Sequence, residues 1–269
     1  MSRIEFAPTF RKRPIRHVLM DWDGTTSLCR AGWGELMTDL FVENLPHLTG
    51  EDAATRRAFA WEELMRLNGR PSIHQMSHLA DLIAGRGGTA AAVAEYQTEF
   101  QQRLSLRVDA RLAAVQSGLR PADSLLVPGV RALFASLESR GMAMSLVSGT
   151  PIAQLRAEAE LLQVAHFFAG RIHGPADLED RTFTKRAVFA AVLREHAMEG
   201  NALLAFGDGP VEIVEAKALG GLAIAVASDE AEHGSGRMDE WKRTTLLASG
   251  ADAVIPDFQN VDALLAAIF

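Results

Sequence analysis

The 269-residue sequence predicts an α/β protein: a doubly wound parallel sheet interrupted, just after its first strand, by an inserted all-helical unit. Two observations predict it. From Gly118 onward, short apolar runs alternate with stretches of helical period, the pattern of a parallel sheet covered by helices on both faces. Between about 35 and 117 the period is helical and strand signals are almost absent. The expected organisation is a tail over 1–15, a core over 16–26 and 119–269, and a helical unit over 27–118.

Residues 1–15 are basic, contain Pro8 and Pro14 and show no sustained period, which reads as a tail. The first strand, Arg16 to Met20, stops on Asp21-Trp22-Asp23-Gly24-Thr25-Thr26. Two carboxylates one residue apart at a strand end can be aimed into one small space, which suits an ion and a phosphate better than a core. Gly24 allows a tight turn beneath them, and the Thr25 and Thr26 hydroxyls add short donors. The following Leu28, Cys29, Arg30, Gly32, Trp33 and Gly34 read as a hinge or flap because of their glycines. Arg30 and Trp33 follow the acidic turn closely enough to be substrate contacts.

Four helices fill the inserted unit. Leu36, Leu40 and Phe41 share a face of the first, and Trp61, Leu64 and Met65 a face of the second. Ser72 and Gln75 have capping-box spacing, so a third helix is expected to turn Ile73, Met76, Leu79, Ala80 and Ile83 inward and end near Gly85. A fourth carries the stripe Val93, Tyr96, Phe100, Leu104, Val108 and Leu112 until Gly118. His74 and His78 lie on one helical face without a third metal ligand and read as polar surface, as do Arg66 and Arg70.

The core then resumes. Pro128-Gly129 opens a helix through Leu137, and Met142 to Val147 is a strand ending on Ser148-Gly149-Thr150. Thr150 as N-cap with Pro151 starts the next helix, and a short strand is expected at Gly170 to His173. Thr184 caps a helix opened by Lys185, with Val188, Phe189, Val192 and Leu193 inward. Strands follow at Ala202 to Phe206, Leu222 to Val226 and Ala253 to Ile255. The basic group Arg237, Lys242 and Arg243 around Trp241 reads as a solvated helix face.

Composition narrows the function. A net charge of −7 argues against nucleic acid as a partner. One cysteine, Cys29, excludes an intrachain disulfide and a cysteine-rich metal site, and no apolar run reaches membrane-spanning length. A cytoplasmic location is expected, as a monomer or homodimer.

Four stretches share one chemical character: Asp21-Trp22-Asp23-Gly24-Thr25, Ser148-Gly149-Thr150, Lys185, and Gly207-Asp208-Gly209-Pro210-Val211-Glu212. In this order they resemble the four motifs of the haloacid dehalogenase-like hydrolase superfamily, whose members are mostly magnesium-dependent phosphatases. The resemblance implies a Rossmann-like core with a helical cap that supplies specificity, and Mg2+ as cofactor. It further implies that Asp21 is the nucleophile and Asp23 the general acid and base, with Ser148 and Lys185 completing the catalytic set. Gly24, Thr25, Gly149 and Thr150 would border the phosphate, and Asp21, Asp23 (through its carbonyl), Asp208 and Glu212 would face the metal. Glu212 departs from the commoner aspartate at that position and is one methylene longer, leaving direct or water-mediated ligation open.

Asp23 argues against the dehalogenating branch, which lacks the second aspartate. The lysine-free stretch from Thr26 to Gly118 argues against the phosphonate-cleaving branch, which uses a cap lysine. The expected activity is hydrolysis of a small phosphorylated metabolite, with sugar phosphates the leading class. A phosphoryl-transferring mutase and a non-catalytic binding protein are the alternatives.

Overall fold

The computed structural model describes residues 4–67, 71–177, 180 and 182–269, so Arg70 lies outside the described residues. By contacts the chain divides into two units, Met1–Ala31 with Arg111–Phe269, and Gly32–Ala110.

Among the described residues the first unit holds seven strands, β1 (Glu5–Phe6), β2 (His17–Met20), β3 (Ala143–Val147), β4 (Ile172–His173), β5 (Leu203–Gly207), β6 (Leu222–Val226) and β7 (Ala253–Ile255). They form one sheet in the order β1-β7-β6-β5-β2-β3-β4, in which every pairing except β1 with β7 is parallel. Counting the parallel strands alone gives 3-2-1-4-5-6, the doubly wound Rossmann-like order, whose direction of winding reverses between β2 and β5. Side chains alternate across the sheet: Leu19, Leu203, Ala205, Ala223 and Ala225 join one core cluster with Phe189, Val192, Ile213 and Leu246. Alanines on that face let helices approach closely. Phe206, on the alternate parity of β5, instead packs edge-on against Phe258 at 5.5 Å.

β1 corrects the reading of 1–15 as a tail alone. Its two residues pair with Val254 and Ala253, covering an edge that β7 would otherwise leave open. Two residues are too few for periodicity to reveal.

The second unit consists of α1 (Trp33–Asn44), α2 (Ala53–Met65), α3 (Ser72–Gly85) and most of α4 (Val93–Gln116). Met37, Leu40, Phe41, Leu64, Met76, Leu79, Ile83, Tyr96 and Phe100 form its buried core. Several local expectations fail here. Ile73 is exposed, and the Ser72 hydroxyl accepts from Gln97 Nε2 instead of capping its helix, while Gln75 is buried. Gly34 lies within α1, and a Cβ there would meet the Trp61 ring at 3.0 Å.

The boundaries also differ from 27 and 118. Ser27 bridges Leu126, Leu28 N–H donates to Leu125 O, and Arg111 Nη1 donates to the carbonyls of Cys29 and Ala31. These bonds tie residues 27–31 to the sheet-bearing unit, so this segment is anchored instead of forming a flap.

The remaining helices of the first unit are α5 (Val130–Ser139), α6 (Ile152–Leu161), α7 (Lys185–Glu195), α8 (Pro210–Ala218), α9 (Glu240–Ala248) and α10 (Val261–Ile268). Thr184 caps α7 by accepting from Ala187 N–H at 3.1 Å. Thr150 does not cap α6: Pro151 takes the N-cap position, which frees the Thr150 side chain for the site below. No helix of the described residues is long and apolar enough to cross a membrane.

His17 at the start of β2 is fully buried, bonds Ser145 Oγ at 2.9 Å and faces the His196 ring. Burial, with His196, Arg171 and His173 nearby, lowers its pKa from 6.5 to about 4. As pH falls from 6.5 the unfolded chain takes up this proton first, so stability drops until about pH 4 and then levels. The expected loss is on the order of 3 kcal/mol. Urea unfolding of wild type and His17→Gln across that range checks it, because the variant should lack this part of the slope.

Candidate active site

In doubly wound sheets, ligands bind beyond the carboxyl ends of the strands where the winding reverses. The register sets Met20 opposite both Leu146 and Phe206, so the residues following β2, β3 and β5 emerge side by side. Those residues are Asp21 to Thr26, Ser148 to Thr150, and Asp208 to Glu212. Three segments remote in sequence thereby share one edge.

Asp21 is buried, and Lys185 Nζ donates to its Oδ1 at 2.6 Å. The same ammonium donates to Glu212 Oε1, bridging two carboxylates from different strand ends. Burial raises the Asp21 pKa, and repulsion from Glu212 and Asp208 adds to that while Lys185 opposes it. Burial disfavours the Lys185 charge, yet its two carboxylates outweigh that and hold its pKa above the ordinary lysine range.

Asp23 is held on both oxygens. Arg30 Nη1 donates to Oδ1 at 2.9 Å and the Thr150 hydroxyl to Oδ2 at 3.1 Å. Its pKa is raised, chiefly by burial, with Arg30 pulling the other way. Ser148 is buried and its hydroxyl accepts from Thr150 N–H at 3.0 Å, while Gly149 is exposed with nothing where a Cβ would project. Thr25 Oγ1 is buried with no hydrogen-bond partner among the described residues.

Glycine is required at position 24. Gly24 has φ +70°, and a Cβ would stand 1.9 Å from Asp208 Oδ2. Asp208 in turn receives Lys242 Nζ on Oδ2 at 2.9 Å, and Lys242 also reaches Glu230 Oε1 at 2.6 Å and Ser228 Oγ at 3.1 Å. Ser228 closes this circuit by donating to Gly24 O at 2.7 Å. Burial brings the Asp208 pKa up to about 6 against the pull of Lys242.

Lys242 is the site residue that sequence reasoning misplaced. Arg237 pairs with Asp229 and Glu232, and Arg243 forks Glu5, as a basic surface group would. The chain after β6 returns through a bridge between Ser228 and Met238, and this carries Lys242 inward. The available signal was that the chain has only four lysines. Glu158 was missed as well, being one acid in a helix with an unremarkable pattern.

The two residues expected to contact substrate have partners within the protein. Arg30 commits both terminal nitrogens to Glu158 and Asp23. Trp33 packs against the apolar core of the helical unit.

The residues fit a divalent cation. Asp21, Asp208, Glu212 and Glu230 share two ammonium groups, Lys185 and Lys242, which leaves two formal negative charges in excess. Glu212 Oε2 is buried with no hydrogen-bond partner among the described residues. Among the described residues no three His, Cys, Asp or Glu side chains form a ligand set by themselves. A cation here would therefore draw on backbone and water oxygens too, as magnesium does.

Comparison with known proteins agrees with the motif order. The profile of the haloacid dehalogenase-like hydrolases matches residues 15–220, about three quarters of the chain. The chain belongs to the haloacid dehalogenase-like hydrolase family. No curated protein matches it. Among solved structures, a haloacid dehalogenase-like protein of unknown function from Agrobacterium tumefaciens is 16% identical with a TM-score of 0.65, covering 94% of this chain and 98% of its own. A predicted phosphoglycolate phosphatase from Haemophilus somnus is 14% identical at TM-score 0.62, again covering 94% and 98%. A β-phosphoglucomutase from Clostridium difficile is 12% identical at TM-score 0.56, covering 94% and 97%. At such identities the likeness establishes the fold of this haloacid dehalogenase-like hydrolase, and that fold serves hydrolysis and transfer alike.

Proposed function

We propose that this hydrolase is a magnesium-dependent phosphatase acting on a small phosphorylated metabolite, with sugar phosphates the leading class, through an aspartyl-phosphate on Asp21. The observation that carries the reading is the meeting of Asp21 with Lys185 beside Asp23, at the reversal point of the sheet. A phosphate monoester resists attack because its charged oxygens repel an anionic nucleophile. Lys185 offsets that charge and orients Asp21, and the exposed Gly149 backbone offers a further site for phosphate oxygens.

In the first step an Asp21 oxygen bonds phosphorus, the ester P–O bond breaks, and the leaving oxygen takes its proton from the Asp23 carboxylic acid. In the second, water attacks phosphorus, Asp23 receives the water's proton, and Asp21 departs as carboxylate with release of inorganic phosphate. Magnesium held by the Asp21 carboxylate, the Asp23 carbonyl and Asp208, with Glu212 direct or through water, would supply positive charge against the phosphate oxygens. The helical unit, Gly32–Ala110, would be the cap that selects the substrate. The single buried cysteine suits a reducing, cytoplasmic setting.

The test is phosphate release from a panel of sugar phosphates, nucleotides and phosphorylated amino acids, with magnesium and with chelator. Magnesium-dependent release concentrated on one class supports the reading. Isomerised sugar phosphate without phosphate release would make the enzyme a mutase, and no turnover would leave a binding protein.

Lys242→Met tests the metal assignment without turnover. Removing this ammonium strands Asp208 and Glu230, so the metal-free protein should lose about 3–5 kcal/mol of stability. Added magnesium should then raise the melting temperature more than in wild type, because the carboxylates have lost a competing cation. Equal magnesium shifts in the two proteins would count against Asp208 as a ligand.

A further inference from the structure

Glu158 lies near the middle of α6, is 1% exposed, and accepts four hydrogen bonds. Arg30 grips it with a two-pronged fork, Nη2 to Oε1 at 2.8 Å and Nη1 to Oε2 at 2.9 Å. Trp22 Nε1 donates to Oε2 at 2.8 Å and Gln154 Nε2 to Oε1 at 3.0 Å. Burying a carboxylate and a guanidinium costs several kcal/mol in lost hydration, and an apolar pair of similar volume is often at least as stable. Stability alone therefore does not account for the arrangement.

Its geometry does. A fork fixes the plane of a guanidinium, whereas a single bond leaves it free to swing. With that plane fixed, the Nη1 that bonds Glu158 also meets Asp23 Oδ1, and Thr150 meets Oδ2. Trp22, the residue between the two aspartates, bonds the same Glu158 and is fully buried. Both the side chain of Asp23 and the backbone leading to it are thus referred to one carboxylate on α6. Glu158 also offsets the Arg30 charge, so Asp23 gains an orienting donor without facing an uncompensated cation.

We propose that Glu158 is a positioning residue for Asp23, acting through the Arg30 fork and Trp22, and so governs proton donation to the leaving group. The inference rests on the phosphatase reading above and deepens it.

Leaving groups separate this role from a structural one. p-Nitrophenolate departs without needing a proton, whereas the alkoxide of a primary alkyl phosphate needs one. The readout is the ratio of kcat/KM for an alkyl phosphate to that for p-nitrophenyl phosphate, which reports only steps through formation of the aspartyl-phosphate. In Glu158→Gln the ratio should fall by about 10- to 100-fold. Arg30→Lys, which keeps the charge but loses the fork, should lower it similarly. Trp22→Phe, which keeps the packing and removes one of four donors, should lower it less. Arg30→Lys and Trp22→Phe retain the test if Glu158→Gln fails to fold.

A selective loss in Asp23→Asn with equal losses on both esters in folded Glu158→Gln or Arg30→Lys overturns the positioning role alone. Equal losses in Asp23→Asn as well overturn the acid assignment and this inference with it. Wild-type enzyme that releases phosphate from neither ester nor any member of the panel above overturns both.

Discussion

Asp21→Asn is expected to abolish phosphate release, by at least about 10⁴-fold in kcat, while the metal-free protein melts at the same temperature or higher. The two readouts are expected to diverge because burial and like charges disfavour an anion at this position. Asp21 is buried beside Glu212 and Asp208, and its raised pKa means that the native state resists its ionisation. For an acid whose folded pKa is raised, ionisation penalises the native state as pH climbs above the unfolded value. Asparagine is neutral and nearly isosteric, so it removes the penalty, and Lys185 keeps Glu212 as partner. A stabilised, inactive variant is the signature of a site that trades stability for chemistry. Turnover at the wild-type rate would sink the aspartyl-phosphate mechanism.

Lys185→Met should fail on both counts. Its ammonium is the link between the Asp21 and Glu212 carboxylates, and all three side chains are largely buried. Removing it leaves two adjacent anions without their cation, expected to cost about 3–5 kcal/mol in chemical denaturation. Loss of charge beside the attacked phosphate should lower kcat by about 10²–10³-fold. Lys185→Arg should restore much of the stability but not the rate, since a planar fork cannot occupy the same point between two carboxylates. An arginine variant with wild-type kcat would remove Lys185 from the catalytic set.

The fold class, the helical unit and the family were legible because each rests on local information. Alternating apolar runs mark strands buried on both faces, and helical stripes mark the inserted unit. The acidic turn after β2, Ser148, Lys185 and Asp208 each stand at an element boundary that the chain itself announces. The failures also share a cause. Ile73, Gly34 and Thr150 follow or break local rules according to what packs against them: solvent, the Trp61 ring and Asp23.

Read alone, the amino-acid order determined which carboxylates and lysine end or begin the elements of the core, because those positions follow from periodicity and chain direction. Only the tertiary structure decided which of them meet. The 3-2-1-4-5-6 strand order brings segments more than a hundred residues apart to one edge, and no local pattern encodes that neighbour list. The same holds for Lys242 on Asp208 and Glu158 on Arg30, where a buried charge finds its partner through space. Ionic partners are chosen by distance after folding, and spacing along the chain carries no record of that distance.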